Sequence, residues 1–226
     1  MGVIYMKILN FGSLNIDYVY SVDHFVQKGE TISSSQMNIF SGGKGLNQST
    51  ALGRAGAQVF HAGRIGKGGE FLVEQLKEAG VNTDLVVLDS QCSTGHAIIQ
   101  NDAEGDNCIL LYGGANQRIT KEQIDATLDQ FDAGDYLVLQ NETSNLPYLM
   151  EKAAEKQMKI VLNPSPMDEK IKALPLDKVT LFFVNEIEAA QILGTGKYTG
   201  SSGSFPLHVP AGSSRPYVRL SGFCLY

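Results

Sequence analysis

The sequence has no tryptophan, only three cysteines and no apolar run that approaches the length needed to cross a bilayer. Cys92, Cys108 and Cys224 are odd in number, widely spaced and without a CxxC pair. That excludes a disulfide framework or a thiolate zinc site and fits reduced thiols in a cytoplasmic protein. Positive charge is also short: 18 Lys and Arg stand against 24 Asp and Glu, for a formal net charge of −6. No broad basic surface can form, so neither nucleic acid nor a membrane surface is an expected partner. A compact anionic substrate stays compatible, since a local cation and a helix N-terminus suffice for one. The opening residues MGVIYMKILNFGS are too poor in basic side chains for a signal peptide and read as a first strand. His24, His61, His96 and His208 show no metal-ligand spacing.

What is present is an ordinary soluble composition, 43% hydrophobic and 19% charged over 226 residues, enough for one domain with a sizeable core. Short apolar runs at 7–11, 58–62, 136–140, 159–163 and 179–184 read as strands. Segments 43–55, 70–79, 120–131, 146–157 and 185–193 carry helical spacing. From residue 57 onward this is mostly strand–helix–strand alternation, the pattern of a parallel sheet covered on both faces by helices. Two stretches, 17–40 and 94–112, break it with β-type runs and no intervening helix. The second reads as a hairpin with an Asp/Asn/Gly-rich turn. Together they form either a lid beside the main sheet or an ordinary antiparallel extension. After Glu188 there is no acidic residue, and 194–226 is rich in Gly, Ser and Pro without strand or helix periodicity. That tail reads as disordered or as the product of a shifted reading frame.

Four places could carry chemistry. In SGGKGLNQ, residues 41–48, consecutive glycines let backbone approach a ligand, Lys44 adds a cation and Asn47 lies one helical turn further on. The same pattern also suits a tight turn before a helix, and it is not a Walker A loop. In GSLNID, residues 12–17, Asn15 and Asp17 stand two apart, so an extended chain turns both the same way. An amide and a carboxylate so placed suit vicinal hydroxyls, or equally a solvated turn. Glu142 follows the strand YLVLQ, at the carboxyl end where open α/β sheets bind ligands. Asn185 and Glu188 spell N-x-x-E after VTLFFV, a plain helix start or a water-mediated hold on Mg²⁺ and phosphates. No G-x-G-x-x-G follows the first strand, which disfavours a dinucleotide-binding dehydrogenase.

Taken in order, GSLNID, GGKGLNQ, Glu142 and NEIE resemble the motifs of the ribokinase-like (phosphofructokinase-B type) carbohydrate kinase family, in its ribokinase branch. GETI at 29–32 and GGAN at 113–116 match as well. The resemblance runs from about residue 7 to 193, roughly the first two-thirds of a family member. It implies a three-layer α/β/α fold with a mostly parallel central sheet and a small β lid, the last part of the fold being absent. It further implies a sugar site made by Asn15, Asp17, Gly43, Lys44, Asn47 and Glu142. Asn185 and Glu188 would lie near the phosphates of ATP, with Glu188 holding Mg²⁺ through water. The lid, which in this family often supplies a dimer contact, would close over the sugar, ribose being favoured. The activity implied is transfer of the γ-phosphoryl group of ATP to a primary sugar hydroxyl. The family draws its catalytic base and anion hole from a late G-A-G-D motif, which this sequence lacks. Asp132-Ala133-Gly134-Asp135 precedes a strand and comes too early, so no catalytic residue is assigned. The expectation is an inactive, C-terminally shortened kinase, or a sugar-binding protein derived from one.

Overall fold

Residues 6–193 and 217–220 are described by a computed structural model. In chain order the elements are β1 (Ile8–Phe11), β2 (Asn15–Ser21), β3 (Gln36–Gly42), α1 (Lys44–Arg54), β4 (Val59–Lys67), α2 (Glu70–Glu78), β5 (Asn82–Ser93), β6 (Gly95–Asn101) and β7 (Asn107–Tyr112). They continue as α3 (Lys121–Leu128), β8 (Tyr136–Gln140), α4 (Leu146–Glu155), β9 (Lys159–Asn163), β10 (Val179–Val184), α5 (Glu186–Leu193) and β11 (Tyr217–Leu220). Short 3-10 turns lie at Gly114–Arg118, Glu169–Ala173 and Leu176–Lys178.

Seven strands form one parallel sheet in the order β11-β10-β9-β8-β1-β4-β5. The side chains of β1 show why it must be central. Leu9 and Phe11 enter one buried cluster with Leu137, Leu139, Ile160, Leu162 and the inner faces of α3 and α4. Ile8 packs on the other side, with Val59, Leu46 of α1 and Leu72 and Leu76 of α2. Alternation along the strand thus feeds two cores, and the fold is a three-layer α/β/α arrangement. At about 25 cal/mol per Å² of apolar surface removed from water, these two clusters dominate the stabilisation.

The chain winds one way from β1 through β4 to β5 and the other way through β8, β9 and β10, so the strand order reverses beside β1. A crevice opens at such a reversal, beyond the carboxyl ends of the strands. Residues 12–15 leave β1 there, and residues 141–144 leave β8 next to them.

The remaining strands make a second sheet in the order β3-β2-β6-β7. Its β6–β7 hairpin turns at Asp102, whose carboxylate accepts from the amides of Glu104 and Asp106, both at 3.0 Å. Register puts Asn15, Asp17, Gly42, Phe40, Gly95, Ala97 and Leu111 on one face of this sheet and Ile39, Ile98, Leu110 and Tyr112 on the other.

Two strands lie outside the segments that the sequence pattern marks. Residues 82–93 carry the twelve-residue strand β5, for which the sequence pattern offers no clean alternation. Its pairing with β4 shifts register twice, and Asp84, Asp89 and Gln91 interrupt its apolar residues. In the tail, Tyr217–Leu220 forms β11 and pairs in parallel with β10. Its four residues, Tyr217–Leu220, are too few to register as a pattern. The rest of 194–226 lies outside the described residues.

Candidate functional site

The site begins with a glycine that no other residue can replace without strain. Gly43 caps α1 at φ 95°, and a β-carbon there would lie 2.9 Å from the Ser13 carbonyl oxygen. That close approach brings the start of α1 onto the segment leaving β1. The Leu46 amide donates to the Ser13 carbonyl at 2.9 Å, and the Gly45 amide donates to Ser13 Oγ at 3.2 Å.

Glu142 locks into this junction from β8. Its Oε2 accepts from Ser13 Oγ and, at 2.9 Å, from the Lys44 amide. Its Oε1 lies 3.4 Å from Lys44 Nζ. The Glu142 side chain is 7% exposed while that of Lys44 is 38% exposed, so the carboxylate is fixed and the ammonium reaches toward solvent. Asp17 projects from β2 against Gly42, where any side chain would collide with its carboxylate. Burial raises the Asp17 carboxyl above the ordinary range, the Glu142 charge raises it further and the Lys44 charge opposes both. These three charged groups therefore share one electrostatic environment.

Asn15 lies beside them, 4% exposed. Its Oδ1 accepts from Asn116 Nδ2 at 2.8 Å, while Asn116 Oδ1 accepts from the Leu14 amide at 3.1 Å. With Oδ1 so occupied, Asn15 offers its Nδ2 as a donor. Asn116 belongs to the GGAN segment and received no role from the sequence, nor did Ser13; nothing in their spacing marks either as a contact. Gln117, next in line, donates to the Glu142 carbonyl at 2.8 Å. Asn47 stands one turn after Gly43 with an exposed side chain that has no hydrogen bond among the described residues.

Under the loop runs a buried polar chain. Asn10 Nδ2 donates to the Gly45 carbonyl and to Ser49 Oγ, both at 2.9 Å, and Ser49 meets His61 Nδ1 at 2.7 Å. Gln140 donates to Asn10 Oδ1 at 3.0 Å and to Gln48 Oε1 at 2.7 Å. Burial pushes the His61 imidazole down to about 4, so it is neutral at physiological pH.

A fixed carboxylate, a second carboxylate, an amide donor and one partly exposed cation converge at the strand reversal, groups of the kind that can accept from and donate to hydroxyls. Residues 6–200 match the profile of the pfkB family carbohydrate kinases. The chain belongs to that family. Within the pfkB family it is 34% identical to the ribokinase of Staphylococcus aureus over 197 residues, 83% of this chain and 63% of that protein. It is 33% identical to the Bacillus subtilis ribokinase over 185 residues, 79% of this chain and 62% of that one. The crystal structure of ribokinase from Cryptococcus neoformans var. grubii in complex with ADP superposes with a TM-score of 0.73 at 33% identity, over 88% of this chain and 63% of that one. The chain thus spans a little under two-thirds of the length of each of these relatives.

The family's N-x-x-E motif stands at the carboxyl end of β10, two strands from Glu142. There Asn185 and Glu188 cap α5 reciprocally. The Asn185 amide donates to Glu188 Oε2 at 3.1 Å, and the Glu188 amide donates to Asn185 Oδ1 at 2.9 Å. The helix-start reading of this pair therefore holds as geometry. Asn185 is exposed and Glu188 partly buried at the carboxyl end of β10, and Glu188 Oε1 has no partner among the described residues. Among those residues no group of three or more His, Cys, Asp or Glu could enclose a metal ion. Asp135 sits at the opposite, amino end of β8, where it accepts from the amides of Lys7 at 2.9 Å and Asp132 at 3.0 Å. It is a turn residue remote from the site. No helix among the described residues is long and apolar enough to cross a membrane.

Proposed function

We propose that this chain carries the sugar-binding half of an ATP-dependent kinase acting on the primary hydroxyl of ribose or a similar small sugar. The observation that carries the reading is the Asp17–Lys44–Glu142 cluster at the junction of the two sheets. The ribokinase names of its relatives support the choice of sugar. Asp17 and Glu142 accept from sugar hydroxyls, Asn15 Nδ2 donates to one, and the Gly43 backbone lies along the ring. Asn47, with an uncommitted amide, closes the rim. This ordering of the acceptor holds one hydroxyl toward the crevice and lowers the entropic cost of reaction.

The nucleotide side rests on Asn185 and Glu188. Their place at the carboxyl end of β10 and the unpartnered Glu188 oxygen fit a hold on Mg²⁺ through water, and no direct coordination follows from two capping side chains. ATP, when bound, supplies the γ-phosphoryl group. No residue of this chain is assigned as the base, because no G-A-G-D occurs in the sequence. The small sheet acts as a lid that excludes water from the transfer. Its exposed apolar side chains, Ile39, Ile98, Leu110 and Tyr112, favour a homodimer through that sheet. The protein works in the cytoplasm.

Calorimetry with ribose in the absence of ATP tests the sugar site, with a coupled assay for phosphoryl transfer beside it. Saturable ribose binding without transfer is expected of the 226-residue protein, and it also fits the second reading, a sugar-binding protein that has lost catalysis. Absence of binding to ribose and deoxyribose defeats the sugar-site reading, and transfer above the no-enzyme rate defeats the claim of inactivity.

A further inference from the structure

A cleft of about 450 Å³ that shares no lining residue with the Asp17–Lys44–Glu142 cluster is lined among others by Arg64, Arg118, Thr120, Lys121, Glu122 and Asn145. Its chemistry departs from that of the protein as a whole, which is net acidic. Two guanidinium groups converge there on a single carboxylate oxygen. Asp89 Oδ2 accepts from Arg118 Nε at 2.8 Å and from Arg64 Nη1 at 3.2 Å, while Asp89 Oδ1 takes the Gln91 amide at 2.9 Å. Arg64 is held in place, 14% exposed, with its Nε donating to Gln123 Oε1 at 3.1 Å. Gln123 in turn donates to the Gly63 carbonyl at 2.8 Å.

The negative partners do not use up this positive charge. Among the described residues Arg118 donates only from Nε, and no acceptor meets its two terminal nitrogens or Arg64 Nη2. Lys121 Nζ rests 4.8 Å from the Tyr148 ring centre and has no carboxylate partner among these residues. Glu122 is turned back onto the start of α3, where hydrogen bonds from its own amide and from Thr120 hold its carboxyl below the ordinary range. It makes no ion pair with either arginine among the described residues. Three cations therefore stand beside two carboxylates: Asp89 is shared by both arginines, Glu122 is folded back on α3, and one positive charge is left over, with terminal N–H groups of Arg118 and Arg64 without an acceptor among the described residues. A guanidinium fork with free terminal N–H groups matches a tetrahedral oxyanion better than it matches chloride or solvent.

We propose that this cleft binds a small phosphate-type oxyanion, with Arg118 and Arg64 as the forked donors and Lys121 as the outer cation. Inorganic phosphate and the phosphate of a monoester share the chemistry that would be recognised, and glycerol phosphate beside inorganic phosphate separates the two sources. The test is titration of the purified protein, without sugar, at ionic strength held constant with sodium chloride. Amide shifts in ¹H–¹⁵N spectra and calorimetry are recorded together.

The expected result is saturable phosphate binding, with the largest shifts at residues 64 and 118–123. Arg118→Gln should lower the affinity about tenfold or more, the range of a charge-assisted hydrogen bond. Shifts confined to residues 43–47 or 185–188, or equal heats for phosphate and chloride, overturn the proposal. So does an unchanged affinity in Arg118→Gln. The shift map on the unaltered protein decides the matter if that variant does not fold. Because no sugar is present, failure here leaves the Asp17–Glu142 reading untouched, and failure of ribose to bind leaves this one untouched.

Discussion

Lys44 meets Glu142 twice, through its backbone amide at 2.9 Å and through its side-chain ammonium at 3.4 Å. The first contact fixes where helix α1 begins against strand β8, and the second leaves a cation poised at the crevice. Replacing Glu142 by Gln keeps one acceptor but removes the charge that balances Lys44. Ribose affinity should fall by about ten- to a hundredfold, as for loss of a hydrogen bond to a charged group. Calorimetry reads this directly, and an affinity within twofold of the parent would contradict the role given to Glu142.

Asp17 should show binding and stability in opposition. Its folded carboxyl is raised, chiefly by burial, so the folded state prefers it protonated. Below the unfolded value of 3.8 both states hold the proton and there is no penalty. As pH rises through that value the unfolded state releases its proton first, and the folded state is penalised. Asp17→Asn should therefore melt higher than the parent at pH 7, with the difference vanishing below pH 3.8, while losing ribose affinity. Melting curves across pH, paired with calorimetry, check both halves.

For His61 the sign is reversed. Its folded value near 4 lies under the ordinary 6.5, so between those limits the unfolded state takes up a proton that the folded state refuses. Stability should fall as pH drops from 6.5 toward 4, by roughly 3 kcal/mol in all at about 1.4 kcal/mol per unit. In His61→Gln this acid-side slope should flatten. Chemical denaturation at pH 7 and at pH 5 measures it, and parallel losses in the two proteins would rule His61 out as the cause.

Asn185→Ala removes one arm of the reciprocal cap on α5. The expected cost is about 1 kcal/mol, concentrated in that helix. Asn185→Asp keeps an acceptor for the Glu188 amide and should recover most of it. Hydrogen exchange of the α5 amides distinguishes the two variants.

Leu110, at 67% the most exposed of the large apolar residues on the small sheet, tests assembly. Sedimentation of the parent should reveal a concentration-dependent dimer, and Leu110→Glu should shift it to monomer. A parent that stays monomeric at high concentration would remove the dimer from the proposal.

Much of the architecture was legible because alternation and periodicity report burial. β8, β9 and β10 have the bounds their apolar runs announce, and the β6–β7 hairpin turns where Asp, Asn and Gly cluster. β5 was not legible, since its stability comes from a bulged pairing with β4 and not from its own pattern. At the site, Asn15, Asp17, Lys44 and Glu142 could be named because they stand in order in motifs that resemble those of the carbohydrate kinases, while their spacing alone also suited solvated turns and a helix start. Asn116 and Ser13 could not, because their partners lie 102 and 129 residues away in the chain and only the folded topology joins them. The orphaned Gln140 Oε1 and His61 Nε2 are likewise properties of three-dimensional closure. Asn185 shows the converse, a motif whose local duty is plain while its chemical one depends on what stands opposite.

Asp17 stands on the small sheet and Glu142 just past the carboxyl end of β8 in the large one, with the Gly42–Gly43 backbone between them. The distance separating these carboxylates is therefore a readout of the angle between the sheets. If the small sheet moves as the proposed lid, a molecule that bridges both acids favours one angle, and by reciprocity holding the sheets at that angle changes the affinity for that molecule. A spectroscopic label on β7 would consequently report occupancy of a pocket it never touches.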